Sequence, residues 1–251
     1  MGVHHAAAHR HDLPQPDGGN HPVGVGSVPA LNTSFTRGVG MTSMRTRRRL
    51  IDRLRSHGID SERILGIMEA TPRHLFIGEA LAHKAYEDTA LPIGYNQTIS
   101  QPWVVARMTE LLLEHDESPK KVLEVGTGCG YQTAILSQLC RWIFTIERIG
   151  ALLEQSRERM QRLGYHNVSF LHGDGFEGWE SNSPFDRILV AAAPGEPPPR
   201  LLDQLSLGGR MVLPVGGGHQ YLRVITRTAN GYQEEQREAV RFVPMLRGQQ
   251  E

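Results

Sequence analysis

A chain of 251 residues suits one large domain, or one domain with an appendage. Its 27 basic residues balance 27 acidic ones, which removes any global pull toward nucleic acid or an anionic membrane. Two cysteines, Cys129 and Cys140, cannot supply a disulfide framework, and no apolar run approaches the roughly 18 residues of a membrane helix.

Residues 1–43 hold seven Gly, four Pro and five of the twelve His, with no sustained apolar periodicity. Such a segment buries too little surface to offset its ordering entropy, so disorder is expected. It contains no signal-peptide core, and the expectation is a soluble, cytoplasmic, monomeric chain. His4, His5, His9 and His11 have no Cys or carboxylate cluster beside them, so no metal is expected; Met41 and Met44 both offer alternative starts. From Met44 the pattern changes. Arg45 to His57 reads as a helix with Leu50, Ile51 and Leu54 on one face and Gly58 as its stop. Its arginines at 45, 47, 48, 49, 53 and 55 read as a solvated face, because no aromatics are interleaved with them. A second helix runs from Ser61 to Glu69, and Thr71-Pro72 has the look of an N-cap followed by a proline at the first helical position. These helices carry too little apolar surface to stand alone.

Leu91-Pro-Ile-Gly-Tyr-Asn-Gln-Thr-Ile-Ser-Gln-Pro102 then leads into an amphipathic helix with Val104, Met108, Leu111 and Leu112 on its stripe. Ser100, just before Gln-Pro, suits an N-cap; the same free N–H groups at a helix start also receive a carboxylate.

The stretch Lys121-Val-Leu-Glu-Val-Gly-Thr-Gly-Cys-Gly-Tyr131 reads as a buried strand, a glycine turn and the start of a helix to Cys140. Glycines at 126, 128 and 130 remove the Cβ atoms that would hold a ligand off the backbone. The spacing is G-x-G-x-G, and Tyr131 stands where a dinucleotide fingerprint has its third glycine, so the turn favours a ligand without a pyrophosphate. Glu147 ends the next strand 21 residues after Gly126, placed to accept both hydroxyls of a ribose. His172-Gly-Asp174-Gly follows the third strand, with Asp174 at the same edge, where an adenine amine can donate to it. The plainer alternative is that Gly126 and Glu147 punctuate a Rossmann-like sheet and Asp174 caps a helix. The combination points to an S-adenosylmethionine site and hence to methyl transfer.

The remaining elements alternate: strand 142–147, helix 149–163, strand 168–173, strand 185–193, helix 199–206 and strand 210–215. Small residues Ala191 to Ala193 end the fourth strand before Pro194 and leave space above the sheet edge, where open α/β sheets bind ligands. Tyr221 to Thr228 and Gln233 to Val243 flank Asn230-Gly231, a hairpin signal. The fold class is therefore α/β: a Rossmann-like, mainly parallel sheet of the class I methyltransferase kind, with a C-terminal antiparallel hairpin and N-terminal helices.

Gly94 to Pro102, Leu123 to Ala134, His172 to Gly175, Ala192-Ala-Pro194 and Val240-Arg-Phe-Val-Pro244 together resemble the protein-L-isoaspartate (D-aspartate) O-methyltransferase family. The resemblance runs from about residue 44 to 247 and leaves 1–43 outside. It implies methyl transfer from S-adenosyl-L-methionine to the free α-carboxylate of L-isoaspartyl residues in damaged proteins and peptides. The ester then closes to a succinimide, whose hydrolysis partly restores aspartate. It further implies Ser100 as the active-site residue. The expected cofactor-binding residues are Thr98, Ile99, Glu124, Gly126, Thr127, Gly128, Gly130, Glu147, Asp174 and Gly175. Ala192, Ala193, Pro194, Val240, Arg241, Phe242 and Val243 are expected to hold the substrate backbone extended, as an added strand. Residues 44–251 are expected to form one domain, with a helical and substrate-loop region at 44–118 and the cofactor-binding sheet at 119–247. Many bacterial members have a second glycine and a glutamine where this chain has Tyr95 and Asn96. Rival readings separate on the same residues. A base-modifying methyltransferase needs aromatics to stack a flipped base, and Ala191 to Pro194 supplies none. A dehydrogenase lacks its third glycine here, and a catalytically silent binding protein stays open.

Overall fold

The computed structural model describes residues 40–251 apart from Glu117, and its first element is a short 3₁₀ turn at Gly40–Thr42. The expected disorder of the extension and its histidines lie outside the described residues, but its last four residues do not belong with it. Ser43 caps the first helix, α1 (Met44–Ser56), by accepting from Thr46 N. Leu50, Ile51 and Leu54 face inward as their spacing requires. Arg47 departs from the solvated face: it is buried, with its guanidinium 5.8 Å from the centre of the Tyr86 ring.

Ser61 caps α2 (Glu62–Ala70) by accepting from Ile64 N. Thr71 does not cap a following helix. Its hydroxyl donates back to Ile67 O at 2.8 Å and ends α2, and Pro72 precedes only a 3₁₀ turn, Arg73–Phe76. A second 3₁₀ segment, Glu79–Lys84, leads to a small antiparallel hairpin, β1 (Leu91–Gly94) and β2 (Gln97–Ile99). Helix α3 (Pro102–Leu113) follows with Pro102 in its first turn.

The main sheet has seven strands in the order β5-β4-β3-β6-β7-β8-β9. They are β3 (Lys121–Val125), β4 (Trp142–Glu147), β5 (Val168–His172), β6 (Phe185–Val190), β7 (Leu205–Gly216), β8 (Gln220–Thr228) and β9 (Gly231–Val240). The first five in that order are parallel, and β7, β8 and β9 pair antiparallel. Helices α4 (Tyr131–Ser137), α5 (Gly150–Arg162) and α6 (Pro199–Asp203) make the crossovers. Leu123, Ile188, Leu189 and Val212 are completely buried, as strands covered on both faces demand. The chain leaves β3 for β4 on one side and later returns to β6 on the other. That reversal opens a crevice at the carboxyl end of β3, the place where such sheets bind ligands.

Four of the boundaries differ from expectation as follows. Helix α6 is one short turn and β7 starts early at Leu205, because the Gly208-Gly209 stretch bulges while β6 pairs on either side of it. Strand β6 stops at Val190. Strand β9 stops at Val240, and residues 241–243 leave the hairpin to run back over the sheet edge, where Val243 O accepts from Ala193 N.

At the tip of the β1–β2 hairpin Tyr95 and Asn96 have φ of 51° and 56°, the left-handed pair that a two-residue hairpin turn needs. Asparagine tolerates this region; tyrosine does so at a cost, and Tyr95 is 45% exposed and gains little packing in return. Replacing Tyr95 with glycine is expected to raise the unfolding free energy by about 1 kcal/mol. Urea unfolding of the two proteins measures it, and an equal or lower midpoint for Tyr95→Gly would show that the tyrosine is not strained.

Candidate active site

A cavity of about 540 Å³ opens at the carboxyl ends of β3, β4 and β6. Of the residues expected at the site, Thr98, Ile99, Ser100, Gly126, Thr127, Gly128, Glu147, Gly175, Ala192, Val240, Arg241, Phe242 and Val243 line it. Glu124, Gly130, Asp174, Ala193 and Pro194 do not.

The floor is the glycine turn. Gly126 N and Thr127 N both donate to Ile146 O, so β4 holds the start of the turn. Gly126 has φ of 97°, so the turn needs glycine for its conformation; a Cβ there would reach Ala191 Cβ at an ordinary contact distance of 3.4 Å. Glu147 is the fastener. Its Oε2 accepts from Gly128 N at 2.9 Å and its Oε1 from Ile149 N at 3.0 Å, which leaves each oxygen a further lone pair. Helix α5 grips the turn from outside: Ser156 donates to Gly128 O at 2.5 Å and Arg159 to Cys129 O at 2.8 Å.

Glu124 lies one layer behind, as the β3 pleat requires, fully buried and outside the cavity lining. Its Oε2 accepts from Thr133 on α4 at 2.5 Å and from Thr145 on β4 at 2.7 Å, and Thr145 bonds in turn to Thr127 at 2.7 Å. Its other oxygen has no partner among the described residues. Burial pushes its pKa up to about 7, against the pull of the two threonine hydroxyls. Gly130, with φ of 86°, supplies the start of α4. Tyr131, in place of a third glycine, packs edge-on to Phe76 and lies beneath the Arg73 guanidinium.

The roof is the β1–β2 hairpin, with Ile93 within van der Waals reach of any Cβ placed on Gly128. Ser100 leaves this hairpin at the cavity wall and is not the cap of α3. Gln101 holds the cap position without a side-chain bond, and Asp88 accepts from Trp103 N at 2.8 Å in its place. No described residue hydrogen-bonds the Ser100 hydroxyl.

Asp174 was expected to face adenine. Its Oδ1 accepts from Phe176 N and its Oδ2 from Gly248 N, so it anchors the C-terminal tail. That tail crosses the sheet edge to Gly150, which donates to Gln250 O at 2.8 Å. Gly175 does reach the cavity, and a Cβ there would overlap Val125 and approach Met245. An added strand would meet an edge that is already partly taken. Ala193 already pairs with the returning chain, donating to Val243 O and accepting from Met245 N, and the Phe242 backbone is held on both sides by the Gln220 amide. Pro194 O accepts from Gly216 N. The segment therefore contributes wall rather than a free strand edge.

Asp88, Thr89, Trp103, Arg148, Met245 and Leu246 also line the cavity, as does Tyr131. Trp103, Met245 and Leu246 follow family motifs in the chain and Tyr131 lies within one; Asp88, Thr89 and Arg148 have no such signal.

The model of the family described as protein-L-isoaspartate (D-aspartate) O-methyltransferase matches residues 45–250. The chain belongs to that family. It is 56% identical over 213 residues to the protein-L-isoaspartate O-methyltransferase of Dechloromonas aromatica, covering 85% of this chain and 99% of that one. It is 55% identical over 212 residues to the Halorhodospira halophila enzyme of the same name, covering 84% and 96%. Among solved structures, a protein-L-isoaspartate O-methyltransferase matches with a TM-score of 0.72 at 27% identity, over 79% of this chain and 65% of that one, just under two thirds. A Plasmodium falciparum family member solved with S-adenosyl-L-homocysteine matches with a TM-score of 0.68 at 25% identity, over 80% and 98%. The family's fold thus accounts for the sheet, the terminal hairpin and the helices in front.

The raised pKa of Glu124 has a consequence for stability. In the unfolded chain this carboxyl ionises near 4.5, whereas in the folded protein it holds its proton to about 7. The folded state binds more protons in this interval, so stability is lost as pH rises through it. A Glu124→Gln variant lacks that penalty. Its stability relative to the parent is expected to grow between pH 5 and pH 8 by about 3 kcal/mol. Denaturation curves across that range decide it; a constant difference would mean that Glu124 does not titrate there.

Proposed function

We propose that this chain transfers a methyl group from S-adenosylmethionine to the α-carboxylate of L-isoaspartyl residues in proteins and peptides, with Ser100 orienting that carboxylate. The observation that carries the reading is the Ser100 hydroxyl, without a protein partner, on the same cavity as the glycine turn and Glu147.

The donor set fits the cofactor. The remaining lone pairs of Glu147 suit two ribose hydroxyls, the turn 126–128 offers backbone without Cβ atoms, and Gly175 with Met245 gives a flat apolar wall for adenine. Thr98 and Ile99 border the methionyl end, while Glu124 and Gly130 keep the turn in shape. S-adenosylmethionine, when bound, supplies an electrophilic methyl group on a sulfonium.

The substrate carboxylate, with a pKa of about 4, is ionised at neutral pH and needs no general base. It is a poor nucleophile because water solvates it. The reaction joins an anion to a cation and loses charge on the way to the transition state, so a water-poor site favours it. Ala192, Phe242 and Val243 exclude water, and the Ser100 hydroxyl donates to one carboxylate oxygen and aims the other. The rest of the substrate lies along the returning segment at Arg241. No nucleophilic Cys or His is called for. The enzyme is placed in the cytoplasm as a monomer, with damaged proteins as its partners and no role for nucleic acid or membrane. Among the described residues no helix is long and apolar enough to cross a membrane.

An isoaspartyl peptide beside its aspartyl twin, with labelled methyl donor, is the direct test. Only the isoaspartyl form is expected to take up label, and equal labelling of both would discard the substrate. Ser100→Ala is expected to lower kcat about 10- to 100-fold, the value of a hydrogen bond to a charged group, with little change in cofactor affinity. Unchanged turnover would remove Ser100 from the mechanism. Glu147→Ala is expected to weaken S-adenosylmethionine binding by about 1–3 kcal/mol in calorimetry; an unaltered Kd would move the ribose elsewhere.

A further inference from the structure

Arg73 is a large side chain with no solvent exposure, seated in the 3₁₀ turn before the hairpin. Its Nη2 makes one long hydrogen bond, 3.4 Å, to Thr89 O. Its Nε and Nη1 have no partner among the described residues, and no described carboxylate forms an ion pair with it. Other buried arginines differ: Arg187 pairs with Asp116 at 3.3 Å, and Arg210 pairs with Glu114. A buried guanidinium without a counter-ion is destabilising, and burial accordingly pushes its pKa down. The Tyr131 ring, 5.1 Å from the guanidinium carbon, offsets only part of this.

The surroundings of Arg73 indicate what completes it. Thr89 and Tyr131 touch it, Cys129, Asp88 and Tyr86 lie near enough to act on its charge, and all but Tyr86 line the cavity. The guanidinium therefore stands directly behind one wall. Asp88, the carboxylate on that wall, accepts from Trp103 N and makes no ion pair with Arg73. Along the glycine turn, Gly128 N donates to Glu147 and Tyr131, three residues on, lies under Arg73, so the two charged groups meet the turn at different points. With ribose at Glu147, the methionyl end of the cofactor points to the Arg73 wall.

We propose that Arg73 is a positioning residue for the methionyl carboxylate of the cofactor: its unpaired charge attracts that carboxylate across the wall formed by Thr89 and Tyr131, and the carboxylate supplies the missing counter-charge. The proposal rests on the orientation given above, with ribose at Glu147. It makes Arg73 a group retained at the expense of the ligand-free protein's stability.

The test is calorimetry with two probes, S-adenosylhomocysteine and its decarboxylated analogue, which keeps the adenosine, the sulfur and the amine. Arg73→Met and Arg73→Gln are expected to bind S-adenosylhomocysteine about tenfold more weakly and the decarboxylated analogue within twofold of the parent. Arg73→Lys is expected to keep most of the preference, because it keeps the charge. Both neutral variants are expected to melt above the parent without ligand. Undiminished S-adenosylhomocysteine affinity, or an equal loss for both probes, would overturn the proposal, as would a neutral variant that melts below the parent or fails to fold. Glu147→Ala separates the two levels. If it weakens both probes while the Arg73 variants keep the parent's preference, only the role of Arg73 falls; if it spares both probes, the orientation falls and this proposal with it.

Discussion

The carboxylate of Glu147 joins the glycine turn after β3 to the start of α5. One oxygen takes an amide from the glycine turn after β3 and the other takes the amide that opens α5. A glycine-rich turn has little conformational preference of its own, so its shape is set by what binds its amides and carbonyls. Glu147 and Ile146 take the amides; Ser156 and Arg159 on α5 take the carbonyls. The turn is thereby held on both sides before any ligand arrives, and an acid already placed by two amides is oriented for further donors.

Behind this surface runs a polar chain from Glu124 through Thr145 to Thr127. It ties the last turn of β3, the neighbouring strand and α4 to the glycine turn without entering the cavity. Glu124 and Arg73 are both ionisable, both fully buried and both incompletely partnered. They flank the same turn, and each opposes stability where an apolar residue of similar size would favour it. Charge left poorly compensated next to a cavity is how a binding site differs from a core.

The roof and the exit of the cavity come from the two ends of the described chain. The β1–β2 hairpin covers the turn and delivers Ser100, while residues 241–250 return from the antiparallel hairpin and cross the sheet edge as far as Gly150. The walls proposed for substrate and for cofactor are thus parts of one returning segment: Phe242 is fixed by Gln220, Met245 lies over Gly175, and Gly248 is tied to Asp174. A carboxylate held between such walls has lost most of its water, which is the condition the methyl transfer needs.

Local rules in the sequence were enough for the strands buried on both faces, the glycine turn, the acid at the end of the next strand and the terminal hairpin. In each case the determining factor is a nearest-neighbour one: unbroken apolar runs, positive φ at glycine, and a turn signal at Asn230-Gly231, although the turn itself is Ala229-Asn230 and Gly231 already pairs with Thr228. The family motifs that hold Ser100 and Gly126 and the strand-end acid Glu147 meet at one cavity in the structure. Boundaries drifted where a bulge or a proline intervened, as at Gly208-Gly209 and at Thr71. The tertiary structure alone decided that Asp88 relieves Ser100 of capping α3, that Asp174 holds the tail instead of lining the pocket, and that Ala193 is already paired. It alone placed Arg73 behind the wall. Each of these depends on which of several equally suitable partners lies within about 3 Å across tens of residues, and spacing along the chain carries no record of that choice.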